Sequence, residues 1–295
     1  MSDSGTSGPI FIVGGSRTGS ELHRTILTHS PWIDLIEEMW LLCPSWLHTD
    51  FATHLERSVG PLTEQGAIDR LMDLMYSKKP FGYFWSVIDR DLAPEALRVA
   101  LLRSEPTLRG VFDAILTVHA QAKGKPIRGA KFPVHYSHVD LLLEWFPDCK
   151  IIHTVRDPRA VYASQASKYV GPRQALYERA RLRFLHFMHI ALQSWWTARI
   201  HTRMQGSGNY FLSRYEDLIT DPVTRVRSLC EFLGIEVVPE MSNPLQYNSS
   251  YRGERGLRRG FSTDSLVDWK KRLNPLTTAM IGLINRHALK TLGYA

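Results

Sequence analysis

Apolar positions along this chain follow two different periods. "IFIV", Ile10–Val13, is a continuous apolar run that predicts a strand buried on both faces. From Ser20 to about His29 the period changes: Leu22, Ile26 and Leu27 share one helical face, and Pro31 ends it. A second strand is expected just beyond, ahead of Glu37 and Glu38. Glu37 to Leu116 reads as mostly helical, with breaks at Pro44, Gly60-Pro61, Pro80 and Pro94. Strand signals return at Ile127–Phe132, followed by a helical face of Val139, Leu142, Leu143 and Phe146. "CKIIHTV" reads as another buried strand, and Pro158 in "RDPRAVYASQASK" suits the first turn of a helix. Arg179 to Met204 reads as a long helix, and "NYFLSRY" as a strand. "DPVTRVRSLCEFLG" reads as a helix with Asp221 as N-cap, Pro222 next and Gly234 as its stop.

Strand–loop–helix units repeated along the chain predict an α/β fold, a central parallel sheet flanked by helices on both faces. Ligands bind such sheets beyond the carboxyl ends of the strands. With no linker or internal repeat in view, residues 9–295 are expected to form a single domain. A helical insertion at about 40–125 and a disordered polar tail at 1–8 complete that expectation.

Composition narrows the setting. A chain of 295 residues with 44% hydrophobic content can bury a large core. No apolar run approaches the length of a transmembrane helix, and "MSDSGTSG" lacks the basic and apolar regions of a signal peptide. Cys43, Cys149 and Cys230 are odd in number and scattered, so neither a disulfide framework nor a zinc site is expected. A cytoplasmic setting follows. The formal net charge of +7 favours an anionic partner without naming one.

Three segments reach the expected binding edge. Gly14 and Gly19 keep the G-x-x-x-x-G spacing of a phosphate-binding loop, yet Ser20 stands where a nucleotide kinase needs Lys, and the loop's only cation is Arg17. Backbone donors of Gly15, Ser16, Thr18 and Gly19, with Ser20 at the helix start, suit an anion; a plain tight turn is the alternative. In "VRDPRAVYAS", Arg156 leaves a strand tip and Ser164 lies two helical turns on. These two could grip a second phosphate, or Arg156, Asp157 and Arg159 could form a surface ion-pair cluster. "YRGERGLRRGF" carries Arg252, Arg255, Arg258 and Arg259 in a glycine-broken stretch, either a lid over an anion or a solvated loop.

Together, in order, these segments resemble the sulfotransferase family that uses 3′-phosphoadenosine 5′-phosphosulfate. "IFIVGGSRTGS" is similar to its 5′-phosphosulfate loop in the branch that uses Arg, which includes the tyrosylprotein sulfotransferases and bacterial members. "IIHTVRDPRAVYAS" resembles the 3′-phosphate motif, "AKFPVH" the Lys-x-Pro segment, "SRYEDL" the segment whose Tyr approaches adenine, and "RRGFSTDSLVDW" the C-terminal loop. The resemblance implies a fold like that of the P-loop nucleotide kinases and transfer of the sulfuryl group to an acceptor hydroxyl by in-line attack. The bisphosphate 3′-phosphoadenosine 5′-phosphate would remain as product, and no metal is implied. Arg17 and Lys131 would stabilise the leaving phosphate; Arg156, Ser164, Lys168, Arg258, Arg259 and Gly260 would hold the 3′-phosphate; Tyr215 would contact the adenine. The family's pattern also implies Glu38 as general base, with Glu37 and His135 in reserve; exposed helix-start acids are the plainer reading of the Glu pair. Glu21 departs from the pattern, an anion where a second Thr is usual; it could point away, pair with Arg17 or Arg24, or contact the acceptor. Aromatic residues between 39 and 125 are expected to line the acceptor pocket, for a small molecule, a glycolipid or a peptide hydroxyl, and nucleic acid is not expected as a partner. The aromatic residues Trp195, Trp196 and Tyr215 read as core. Rival readings are an ATP-dependent kinase, which lacks its Lys, and a non-catalytic polyanion-binding protein.

Overall fold

The computed structural model describes residues 8–37, 41–42, 51–76, 92–171, 174–247 and 257–294. Its central sheet has four parallel strands, β1 (Ile10–Gly14), β2 (Gly129–Lys131), β3 (Lys150–Val155) and β4 (Tyr210–Arg214), in the order β2-β1-β3-β4. The chain builds β2 on one side of β1, then crosses to the other side for β3 and β4. That reversal falls between β1 and β3, and it opens a crevice beyond their carboxyl ends. Register pairs Gly14 with Thr154 across β1 and β3, and Val155 with Arg214 across β3 and β4.

Alternation along β1 divides the core. Phe11 and Val13 face a large cluster with Phe112, Phe132 and Phe146, the Phe11 and Phe112 rings stacked at 5.7 Å. Ile10 and Ile12 face a smaller one with Leu27, Ile152, Leu229 and Leu233. Helices cover both faces, which is why β1 reads as a continuous apolar run.

The helices that matter to the site follow the strands. α1 (Ser20–Thr28) leaves β1 and packs Leu22 and Ile26 inward. Within the stretch expected to be helical, α2 (Phe51–Ser58), α3 (Ala67–Tyr76), α4 (Pro94–Arg103) and α5 (Leu108–Ala122) are present, and α6 (Val139–Trp145) precedes β3. α7 (Pro158–Tyr169) starts after β3 with Asp157 accepting from the Arg159 N–H at 2.8 Å. α8 (Leu176–Met204) begins three residues before the expected Arg179 and lies against α7. α9 (Tyr215–Thr220) follows β4, and α10 (Pro222–Leu233) runs from an Asp221 cap to Gly234 at φ 67°, both as expected. α11 (Asp264–Arg272), α12 (Pro275–Ile284) and α13 (Arg286–Thr291) close the chain.

Four expectations are corrected. The strand at Ile127–Phe132 shrinks to Gly129–Lys131. The second strand reduces to two parallel bridges, Ile33 to Ile127 and Ile36 to Ala130, because the backbone bonds at Ile127 and at Ile36 are not joined, among the described residues, by one between Gly129 and Asp34. The arginine-rich stretch ends in a strand rather than a loop: β6 (Leu257–Arg259) pairs antiparallel with β5 (Leu245–Tyr247). Trp195 is not core but 49% exposed, since the inward side of α8 is taken by Ile190, Gln193, Thr197 and Ala198.

Three fully buried histidines set the acid response of the fold. Burial pushes His23 down to about 4, His153 to about 3 and His135 well below its usual range. The unfolded chain protonates these rings near pH 6.5 while the folded chain resists, so their stability contribution is complete above pH 6.5 and drains as pH falls. For His23 alone the loss by pH 4 is on the order of 3 kcal/mol. The melting temperature should therefore drop steeply between pH 6.5 and 4, and a flat profile over that range would refute this reading.

Candidate functional site

The loop between β1 and α1 is shaped by what it cannot accommodate. Gly14 and Gly19 have φ of 143° and 97°, and Arg17, at 69°, is the only described residue other than glycine with positive φ. A β-carbon at Gly14 would collide with the Thr154 carbonyl, one at Gly15 with the Gln193 side chain, and one at Gly19 would sit 2.5 Å from the Tyr215 ring. Left-handed geometry at Arg17 costs on the order of 1 kcal/mol and needs its surroundings to hold it. Those supports are visible. Thr18 Oγ1 donates to the Gly15 carbonyl at 2.7 Å and lies 2.8 Å from Thr154 Oγ1. His23 Nδ1 lies 2.9 Å from the Gly19 carbonyl, which can only accept, so Nδ1 carries the proton and Nε2 accepts from the Ser213 hydroxyl at 2.6 Å. Sequence reasoning missed this histidine; its position four residues after Gly19, one helical turn, was the available signal. Ser16 is half-buried and Ser20 buried at the first position of α1.

The loop and the second motif meet at the crevice. Arg17 Nε donates to Ser164 Oγ on α7 at 3.0 Å. Arg156 reaches the Arg17 carbonyl with Nη1 at 3.5 Å and the Ser265 carbonyl with Nη2 at 2.9 Å. Its guanidinium lies 4.2 Å over the Tyr215 ring, and its buried Nε has no hydrogen-bond partner among the described residues. Tyr215 is held by Ser265: Ser265 Oγ donates to the Ser262 carbonyl, so the phenol donates to Ser265 at 2.9 Å. Burial and then the charge of Arg156 lower the pKa of Arg17. Two guanidinium groups thus share one partly buried crevice, an arrangement that an anion would relieve.

Asp157 does not neutralise Arg156. Its carboxylate pairs with Arg159 at 2.7 Å, and its backbone N–H donates to Glu216, which also accepts from Tyr294 at 2.7 Å. Of the expected surface cluster, the Asp157–Arg159 pair is present, but it is part-buried and does not include Arg156. Lys168 is exposed one turn beyond Ser164, its Nζ 5.2 Å over the Tyr169 ring. Arg259 is exposed at the end of β6, and Gly260, at φ 75°, donates its N–H to the Pro244 carbonyl at 3.0 Å. The Arg258 side chain lies outside the described residues.

On the far side of α1, charges alternate in a row. Glu21 pairs with Lys131 at 3.1 Å and with Arg24 at 2.7 Å, and Arg24 reaches Glu37 at 3.3 Å. Burial raises the Glu21 pKa, but hydrogen bonds and charge from Arg24 and Lys131 outweigh it, and the carboxyl is held below its usual range. Lys131 is buried at the end of β2, while Glu37 is partly exposed. His135 is enclosed by Phe112 and Phe132, and its Nε2 accepts from the Leu42 N–H at 3.1 Å, so its lone pair is already occupied. Glu38 lies outside the described residues. Among the described residues no group of three or more His, Cys, Asp or Glu is set to hold a metal ion, and no helix is long and apolar enough to cross a membrane.

Comparisons with known proteins agree with this architecture. A family model described as "Sulfotransferase family" matches residues 9–240. The chain is 25% identical over 256 residues to the omega-hydroxy-beta-dihydromenaquinone-9 sulfotransferases of Mycobacterium bovis and Mycobacterium tuberculosis. That alignment takes in 77% of this chain and spans 63% of the length of those relatives. Among solved structures, the sulfotransferase domain of the Synechococcus olefin synthase superposes with a TM-score of 0.57 at 21% identity, over 97% of this chain and 94% of that one. The sulfotransferase domain from the curacin biosynthetic pathway gives 0.58 at 18% identity, over 98% of both chains. At these identities the structures support the fold alone.

Gly19→Ala should lower stability by about 1–3 kcal/mol, through the left-handed backbone and the Tyr215 contact. Chemical denaturation checks this; an unchanged midpoint would mean the loop is not as tightly enclosed as described.

Proposed function

The chain belongs to the sulfotransferase family, and from that premise we propose that it transfers the sulfuryl group of 3′-phosphoadenosine 5′-phosphosulfate to an acceptor hydroxyl by in-line attack, residues 9–295 acting as one domain. One observation carries the reading of the donor: Arg17 and Arg156 converge on the crevice between β1 and β3, with Ser164 joining them. Buried like charges, a partnerless Arg156 Nε and glycine backbone at the helix start suit a ligand bearing two separate phosphates. Such a donor brings an activated sulfuryl group with a phosphate leaving group. The chain's own residues then do the rest. Backbone N–H groups from Gly15 to Ser20, with Arg17, hold the 5′ end and stabilise charge developing on the phosphate oxygen. Arg156, Ser164, Lys168, Arg258, Arg259 and Gly260 take the 3′-phosphate, and Tyr215 flanks the adenine.

Lys131 is the second cation for the leaving phosphate. Its ion pair with Glu21 keeps a buried ammonium satisfied until an anion competes for it. Glu38 is the proposed base. The described segment Ile33–Glu37 runs parallel to β2, with Lys131 N donating to the Ile36 carbonyl at 3.0 Å, so this segment ends beside Lys131 one residue before Glu38 in the sequence. Glu37 is the reserve, already shared with Arg24; His135, with its lone pair occupied, is the least supported. The mycobacterial relatives are named for an omega-hydroxy dihydromenaquinone, and by that likeness the acceptor is a lipid or other apolar small-molecule alcohol.

Transfer of labelled sulfate from the donor, screened against apolar alcohols, tests the reading. Arg17→Ala and Lys131→Ala should each lower kcat by about 100-fold or more while the fold persists. Wild-type rates in both would overturn the assignment. Glu21→Gln should tighten binding of the bisphosphate product several-fold by removing a competing carboxylate from beside Lys131; weaker binding would instead make Glu21 a positioning residue for the lysine.

A further inference from the structure

The outer side of α8 has no role in the site. Arg181, Leu185, Met188, Leu192, Trp195 and Arg199 follow one another in steps of four and three residues, so they share one face of the helix. Phe184 falls beside them. All are exposed, Phe184 by 62%, Leu185 by 48% and Met188 by 50%. The opposite side is the one that belongs to the enzyme's interior: Gln193 abuts Gly15 of the phosphate loop, and Ile190 packs on Ile281 of α12. α12 itself exposes Leu276, Met280, Leu283 and Ile284. Two neighbouring helices therefore present apolar rows to solvent, more than scattered single residues would.

Charge decides what fits this face. Glu178 is the only acid in α8, against five arginines, and Arg181 and Arg199 punctuate the apolar row at its two ends. Beyond Leu192 the row leads into a hollow of about 410 Å³ lined by Trp195, Arg199, Thr202, Arg203 and His287. Arg199 stacks 5.5 Å from the Trp195 ring, which gives the hollow a cationic, aromatic wall. A second copy of the chain, docked on this face, would bring arginines against arginines. A lipid surface with anionic headgroups meets both features, since apolar side chains enter the headgroup boundary while arginines and tryptophan stay at its level.

We infer that the outer face of α8, with the cationic hollow at its end, docks on an anionic lipid surface. This inference stands on the exposed face and its charges, and does not depend on which group the enzyme transfers.

Flotation of the full chain with phosphatidylcholine vesicles, with and without phosphatidylglycerol, tests it. The protein should float with the phosphatidylglycerol vesicles and stay behind with phosphatidylcholine alone. Leu185→Ser/Met188→Ser/Leu192→Ser and, separately, Arg181→Glu/Arg199→Glu should each cut the bound fraction by about tenfold or more, with melting temperature and bisphosphate binding unchanged. Failure of the wild type to float at low salt, or flotation indifferent to both variants, would overturn the inference. So would a dimer in sedimentation that the same variants convert to monomer, because a second copy would then own this face.

Discussion

From the last residue of β1 onward the chain leaves no clearance for a side chain at Gly14, Gly15 or Gly19, hemmed by Thr154, Gln193 and the Tyr215 ring, and the rest of the crevice is arranged around that constraint. Three elements from distant parts of the sequence press on one loop. Within the loop Arg17 takes left-handed geometry, and Thr18 and His23 take up the Gly15 and Gly19 carbonyls on either side of it. The shape of the loop thus depends on the packing of β3, α8 and α9 as well as on its own sequence.

Electrostatics then divides the crevice in two. Toward α7, Arg17 and Arg156 stand together, with Asp157 diverted to Arg159 and Glu216 diverted to Tyr294 and the Asp157 amide. These two acids are used to fix the scaffold rather than to pair with Arg156. Toward β2 the opposite holds: Lys131, Glu21, Arg24 and Glu37 alternate in sign, and each charge is matched. Glu21, the departure from the usual loop pattern, belongs to this second half. Its partners are Arg24 and Lys131, so its charge sits beside the lysine rather than beside Arg17.

Much of this was legible in the sequence because the signals were local. The apolar run at Ile10–Val13, the proline-started helices at Pro158 and Pro222, and the glycine spacing of the first loop each depend on neighbours a few residues apart, and all three hold in the structure. What escaped was non-local. His23 bonds Ser213, Arg156 reaches Ser265, and Tyr215 closes on Gly19; each contact joins positions dozens of residues apart or more. Trp195 was misread for a related reason, since an aromatic residue beside another in a long helix signals core only if that face meets a neighbour. The arginine-rich stretch looked like a loop because its partner, Leu245–Tyr247, gives a weak strand signal alone.

On the proposed function, the crevice between β1 and β3 takes an adenosine carrying separate 3′ and 5′ phosphates. Calorimetric titration of the wild-type chain with 3′-phosphoadenosine 5′-phosphate, with AMP and ATP as competitors, tests it most directly. Binding of the bisphosphate in the micromolar range, undisturbed by either competitor, is the predicted result. ATP binding as well or better would contradict the account and return the loop to the nucleotide kinases it superficially resembles.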